Sequence, residues 1–201
     1  PVGFRRHPRE VWRWYQARRR NAASVRPNPA HRAIAELEDV VPHVVVVTQN
    51  IDGLHQEAGS TRVLELHGSL QRYKCAQDCR GDPTPVPAPP LDVEKPTRCP
   101  HCGAYTRPDV VWFHERLPTD IWEEAMVEAH ACDAMLIVGT SGVVEPAASI
   151  PWSAKQQGAL LVEINPARTP NTAIADLVLR GPAGKIMPEL LEAMRSGARN
   201  G

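Results

Sequence analysis

The chain has 201 residues, 42% of them hydrophobic and 23% charged, with 23 basic and 23 acidic side chains. Such a length holds one large domain, or one domain with a small insert, and buries a sizeable core without disulfides. The composition excludes a disordered chain, a coiled coil and a collagen-like fibre; the longest apolar run, around residues 40–47, is broken by Pro42 and His43 and falls far short of the ~20 residues that span a membrane.

Residues 8–20 read as a helix that begins with Pro8, and their spacing puts Val11, Tyr15 and Arg18 on one face. The first 32 residues hold nine arginines and one glutamate, which leaves the remainder acidic. A basic start of this kind suits either a solvated helix or an anionic partner. Asn28-Pro29 is an N-cap followed by proline at the first helical position; it opens a helix to about residue 39 with Ala30, Ile34 and Leu37 inward. Residues 43–47 form a short β-branched run, the mark of a strand buried on both faces. A polar loop, 48–52, follows its carboxyl end. A short helix over 54–58 is stopped by Gly59, and a second strand over 63–66 ends at His67-Gly68.

The five cysteines are Cys75, Cys79, Cys99, Cys102 and Cys132. An odd count without a secretion signal argues against a disulfide framework. Two close pairs, Cys75-x3-Cys79 and Cys99-x2-Cys102, instead suit a tetrahedral thiolate site for one zinc ion. Four thiolates leave no open coordination position, so the metal is expected to be structural. Cys132 lies outside the pattern and reads as a buried small apolar residue. Between the pairs, residues 83–100 contain seven prolines and read as a structureless loop.

Regular pattern resumes with a strand over 109–113 and a helix over 119–131. A buried strand over 134–138 ends in Gly139-Thr140-Ser141-Gly142, and a helix over 146–157 follows. Further on come a strand over 160–164 ending at Asn165-Pro166, a strand over 175–179 and a helix over 188–195. Strands alternating with helices predict an α/β fold: a Rossmann-like parallel sheet with helices on both faces, plus a small zinc-binding module. Ligands of such sheets sit beyond the carboxyl ends of the strands, where this sequence places 49–52, 139–141 and 165–166. The G-x-G-x-x-G dinucleotide fingerprint is absent from the sequence.

Taken together, Thr48-Gln49-Asn50-Ile51-Asp52-Gly53-Leu54-His55, His67-Gly68-Ser69, the four paired cysteines, Val111-Trp112-Phe113 and Gly139-Thr140-Ser141 resemble the sirtuin family of NAD-dependent protein lysine deacylases, in order and spacing from about Phe4 to Leu191. The resemblance implies that Gln49, Asn50, Ile51 and Asp52 line the nicotinamide and ribose part of an NAD site. It implies that Gly139, Thr140 and Ser141 approach the cofactor ribose and phosphates, that Asn165, Pro166 and Ala167 reach the adenosine ribose, and that Ala183 meets adenine. His67 would be the general base, a task imidazole suits because its ordinary pKa of about 6.5 lies near neutral pH. In the family reaction the acyl-lysine carbonyl oxygen attacks the anomeric carbon of the nicotinamide ribose. The base then takes a proton from a ribose hydroxyl, and the products are free lysine, nicotinamide and O-acyl-ADP-ribose.

Val111, Trp112 and Phe113, with Val143 and Glu145, resemble the two segments that clamp a substrate peptide by strand addition. His114 departs from the family, which usually has glycine after this phenylalanine. Tyr15-Gln16-Ala17-Arg18 resembles the Tyr-x-x-Arg pair of deacylases that accept negatively charged acyl groups. An arginine fork and a phenol on one helical face can grip a carboxylate, so succinyl- and malonyl-lysine are the expected substrates and acetyl-lysine a further one. The implied organisation is a helical substrate-binding segment over 1–42, a Rossmann-like NAD-binding domain over 43–70 and 108–201, and a zinc insert over 71–107. The family's first strand and Gly-rich phosphate loop lie before Pro1, so a truncated chain that binds NAD poorly is expected. Acylated proteins are the expected partners, without a membrane, and the expected location is cytoplasmic. Two other readings stay open: a zinc-containing nucleic-acid-binding module, suggested by Trp12, Trp14 and Tyr15 among the arginines, and a protein ADP-ribosyltransferase of the same fold.

Overall fold

The computed structural model describes residues 1–198. In chain order the helices and strands are α1 (Val2–Arg6), α2 (Pro8–Ser24), α3 (Pro29–Glu36), β1 (Val46–Thr48), α4 (Leu54–Ala58), β2 (Val63–Glu65), β3 (Gly68–Cys75), β4 (Pro85–Val86), β5 (Thr106–Val110), α5 (Thr119–Ala131), β6 (Ala134–Val138), α6 (Ile150–Gln156), β7 (Leu160–Ile164), β8 (Leu177–Leu179) and α7 (Ala183–Ala198). The chain divides into two compact units. The first comprises Pro1–Arg26, Thr48–Gly53 and Glu65–Pro118; the second comprises Pro27–Val47, Leu54–Leu64 and Thr119–Gly201.

In the first unit, β3 is the centre of an antiparallel sheet with the order β4-β3-β5. Gly68 opens β3 opposite Val110 at φ +74, and a Cβ there would stand 2.0 Å from the backbone oxygen of Asp109. Only glycine lets β5 approach this closely. Tyr15, Leu70 and Val110 form a small core, against which Val11, Ile51 and Trp112 pack.

The inward face of α2 is Trp12, Tyr15, Gln16 and Arg19 rather than the Val11–Tyr15–Arg18 stripe; Val11 is half-buried and Arg18 exposed. The rotation has a long-range cause. The indole N–H of Trp12 donates to the oxygen of Val93 (2.8 Å), the Arg19 guanidinium to that of Pro89 (2.6 Å), and the Arg20 guanidinium to that of Leu91 (3.1 Å). Helix α2 thus holds alternate carbonyls of the proline-rich segment, which is fastened although it has almost no secondary structure of its own. Trp12 also meets the Tyr73 ring edge-on at 5.6 Å. Truncating so buried an indole to alanine costs about 3–5 kcal/mol in comparable cores.

In the second unit, β6, β7 and β8 form a parallel sheet in that order. Val162 and Ile164 of β7 share a core with Ala30, Ala33 and Leu37 near α3 and with Met187 and Leu191 of α7. Alternation turns Leu161 and Glu163 to the opposite face. The N-cap at Asn28 is as expected: its Oδ1 accepts from the N–H groups of Ala30 and His31. His31 adds what the sequence did not suggest, its ring Nδ1 accepting from the Asn28 N–H at 3.3 Å to complete a reciprocal cap. Helix α7 starts at Ala183, five residues before Pro188, which sits inside it. Proline at a first helical position is the strong local signal, but Met187 is buried in the unit's core and Ala183 and Ile186 pack against it, and these contacts extend the helix upstream.

Candidate active site and metal centre

The thiolate centre is built by β3 and two turns. Cys75 ends β3, Cys79 lies in the turn after it, and Cys99 and Cys102 flank a second turn held by bonds from Cys99 N–H to Ala104 oxygen (2.7 Å) and from Gly103 N–H to Cys99 oxygen (2.9 Å). The sulfur of Cys75 is 3.6 Å from that of Cys102, that of Cys79 is 3.9 Å from that of Cys99, and all four lie within 4.8 Å of one another. A tetrahedral zinc with Zn–S of about 2.3 Å requires sulfur separations of about 3.8 Å. The four residues therefore fit one zinc with every position filled by protein. Burial and the neighbouring thiols push Cys79 up to about 12. Burial would also raise Cys99, but the backbone N–H groups of His101 and Cys102 outweigh it and bring it to about 7. Four crowded thiols cannot all ionise alone, and a dication removes that conflict. Cys132 stands apart, half-buried, with its thiol on the oxygen of Ala129.

Also in the first unit, residues 49–52 follow β1. The N–H of Asn50 donates to the Thr48 hydroxyl (3.0 Å), and the oxygen of Ile51 accepts from the N–H of Leu70 (2.9 Å), so the loop is tied to β3. Ile51 packs into the small core, Gln49 and Asp52 are half-buried, and Asn50 is exposed. His67 precedes β3, and its Nδ1 stands 3.1 Å from the oxygen of Gln49. A carbonyl only accepts, so Nδ1 carries a proton, and in the neutral ring the lone pair is then on Nε2. The oxygen of His67 in turn accepts from the N–H of Val111 at 2.9 Å.

Tyr15 and Arg18 share α2 but have different surroundings. The Tyr15 hydroxyl accepts from the indole N–H of Trp112 (2.8 Å), and the two rings lie 6.3 Å apart. Burial raises the Tyr15 phenol, with the Trp112 bond and nearby Arg18 pulling the other way, so at neutral pH it keeps a proton to donate. The exposed Arg18 guanidinium lies 4.8 Å over the Trp14 ring. Val111, Trp112 and Phe113 lie beyond β5, which ends at Val110. Trp112 is clamped: its N–H donates to Glu115, whose carboxylate takes both arms of Arg107 at 2.7 Å, and that guanidinium lies 3.8 Å over the indole. Phe113 is left 84% exposed. His114 has φ +72, a left-handed conformation that glycine would adopt without the Cβ clash.

In the second unit, Gly139, Thr140 and Ser141 follow β6, and Asn165, Pro166 and Ala167 follow β7. The two loops are joined, since the Asn165 side-chain amide donates to the Thr140 oxygen at 2.8 Å. Ser141, Pro166 and Ala167 are exposed, as are Val143 and Glu145. Ala183 opens α7 just after β8 and packs on the core. Sequence reasoning missed Glu163 and Arg180, which brace these loops. A usable signal was present, a glutamate inside the apolar strand Leu-Leu-Val-Glu-Ile.

Polar loops at the carboxyl ends of parallel strands suit a nucleotide-type α/β protein, and the four-thiolate module in the unit that carries His67 fits a structural metal. The sequence matches the Sir2 family over residues 1–146. It is 43% identical over 198 residues to the NAD-dependent protein deacylase of Thermococcus kodakarensis, covering 97% of this chain and 77% of the relative. An ADP-ribose complex of a mutant Sir2 homologue has a TM-score of 0.92 at 43% identity, covering 99% of this chain and 79% of the other. A Sir2 homologue bound to NAD has a TM-score of 0.90 at 42% identity, covering 98% and 76%. The chain belongs to the Sir2 family. Among the described residues, no helix is long and apolar enough to cross a membrane.

Proposed function

We propose that the chain is an NAD-dependent protein lysine deacylase with a preference for acidic acyl groups, succinyl and malonyl ahead of acetyl, giving nicotinamide and O-acyl-ADP-ribose. Deacylation with NAD rests on homology to the relatives above. The observation that carries the chemistry is the His67–Gln49 bond, which ties the base to the 49–52 loop and, in the neutral ring, assigns the lone pair to Nε2. NAD, as co-substrate, supplies the ribose carbon that receives the acyl oxygen and the nicotinamide that departs. His67 Nε2 takes the proton from a ribose hydroxyl, and Gln49, Asn50, Ile51 and Asp52 orient the nicotinamide ribose. Gly139, Thr140 and Ser141, with Asn165, Pro166, Ala167 and Ala183, hold the remainder of the dinucleotide. Val111, Trp112 and Phe113 bind the peptide with Val143 and Glu145. Zinc at Cys75, Cys79, Cys99 and Cys102 keeps its module folded and takes no part in the reaction.

The acyl preference is supported by the protonated phenol of Tyr15 and the exposed guanidinium of Arg18, three residues apart on α2. A cytoplasmic setting belongs to the same proposal, because reduced thiolates and an NAD supply both suit a reducing interior. The test is turnover of succinyl- and acetyl-lysine peptides with and without NAD, for the wild type and His67→Ala. Deacylation that needs NAD and His67 supports the reading. Turnover independent of either overturns it, and label passing from NAD to protein marks ADP-ribosyl transfer instead.

A further inference from the structure

We propose that Arg180 and the buried Glu163 are positioning residues for the cofactor, holding the 165–167 loop and, through Asn165, the 139–142 loop in their binding shape. The inference rests on the NAD reading above and concerns residues to which that reading gives no role.

Glu163 lies in β7 between Val162 and Ile164, and its side chain is 0% exposed. An unpartnered carboxylate there would be costly, so its partners are the point of interest. One oxygen accepts from the Thr169 hydroxyl. The other accepts from the Thr172 hydroxyl at 2.6 Å and faces the Arg180 guanidinium at 3.1 Å. These bonds draw the short 3-10 helix Pro170–Ala173, and the chain just after β8, onto the end of β7.

Arg180 passes the constraint onward. One arm meets Glu163 and the Thr172 hydroxyl (3.0 Å), while the other donates to the oxygens of Asn165 (3.2 Å) and Ala167 (2.5 Å). A planar fork can bridge a carboxylate and two carbonyls at once; a lysine ammonium cannot reproduce that geometry. Asn165 completes the chain, its Oδ1 accepting from the N–H of Ala167 (3.1 Å) and its amide donating to the Thr140 oxygen. The 3-10 helix meets the first loop directly as well. A Cβ on Gly142, at φ +65, would lie 2.6 Å from the Asn171 side-chain nitrogen, so a larger residue there would have to displace the buried amide as well as adopt a left-handed backbone.

If Glu163 served stability alone, an apolar side chain of similar volume would serve as well or better. Instead its hydroxyl and guanidinium partners lead to carbonyls of the loops after β6 and β7, where parallel sheets bind ligands.

The test uses the full chain with Arg180→Met and Arg180→Lys, substitutions at a partly exposed side chain. Glu163→Gln is a second probe. The readouts are the Kd for ADP-ribose by calorimetry, KM for NAD against KM for acyl-peptide, and amide exchange without ligand. Arg180→Met is expected to raise the ADP-ribose Kd and the NAD KM by about tenfold or more. Peptide KM should stay within about twofold, and exchange should quicken at Gly142 and Ala167 but not in β7. Arg180→Lys should recover only part of the loss. A lower melting temperature with unchanged ADP-ribose Kd in the folded protein would overturn the positioning role. Failure of the wild type to bind ADP-ribose even at millimolar concentration would instead overturn the cofactor reading beneath it.

Discussion

His67 Nδ1 stands 3.1 Å from the backbone oxygen of Gln49, so one bond fixes both the tautomer of the ring and its place beside the 49–52 loop. His67→Ala removes the base and is expected to lower kcat by about 10²–10⁴-fold. ADP-ribose affinity should change little. Steady-state turnover alongside calorimetry separates the two effects.

Arg18 and Tyr15 predict a selectivity change rather than a general loss. Arg18→Met should cut kcat/KM for succinyl-lysine by about 10–100-fold, the worth of a charge-assisted bond to a carboxylate, and leave acetyl-lysine within about threefold. Tyr15→Phe should act in the same direction and more weakly, because it removes a neutral donor where Arg18 supplies a charged one. Parallel kinetics on the two peptides check this; equal losses would reject the carboxylate role.

Zinc removal should unfold the module rather than poison a reaction step. Cys102→Ser is expected to lower bound zinc below one per chain and to weaken the near-ultraviolet circular dichroism, since Trp12 is anchored on Val93 of the same insert. Structural zinc in small peptides contributes an apparent ~10–16 kcal/mol. Metal analysis and dichroism before and after a chelator provide the measurement.

Two backbone positions predict opposite signs. His114→Gly relieves a left-handed non-glycine residue and should raise stability by about 1 kcal/mol, read as a higher thermal midpoint. Gly68→Ala drives a methyl group into the Asp109 oxygen and should separate β3 from β5, lowering both the midpoint and the activity, because His67 is the adjacent residue.

The Arg107–Glu115 fork makes the first unit acid-sensitive. Burial works against the Glu115 carboxylate, but the Arg107 bonds and the Trp112 N–H outweigh it and hold its pKa below the ordinary 4.5. A depressed carboxylate contributes stability that is present above its unfolded value and lost as pH falls through its folded one. Melting temperatures should therefore fall as pH drops below about 4.5, and Glu115→Gln should flatten that limb while lowering stability at neutral pH.

Signals that span a few residues were legible in the sequence, because the physics behind them is local. The spacing of Cys75, Cys79, Cys99 and Cys102 suffices for a thiolate cage, Asn28-Pro29 for a helix start, and alternating apolar runs for a parallel sheet with polar loops at its ends. The motif around His67 was equally readable, but not the bond that selects its tautomer, since Gln49 is 18 residues away. Tertiary structure alone decided which face α2 buries, because Trp12, Arg19 and Arg20 meet carbonyls more than 69 residues distant. It also set the start of α7, where core burial of Met187 and the packing of Ala183 against it overrode the proline signal. And it joined Glu163 to Arg180: a buried charge announces that it has a partner, and only the folded sheet brings that partner to it.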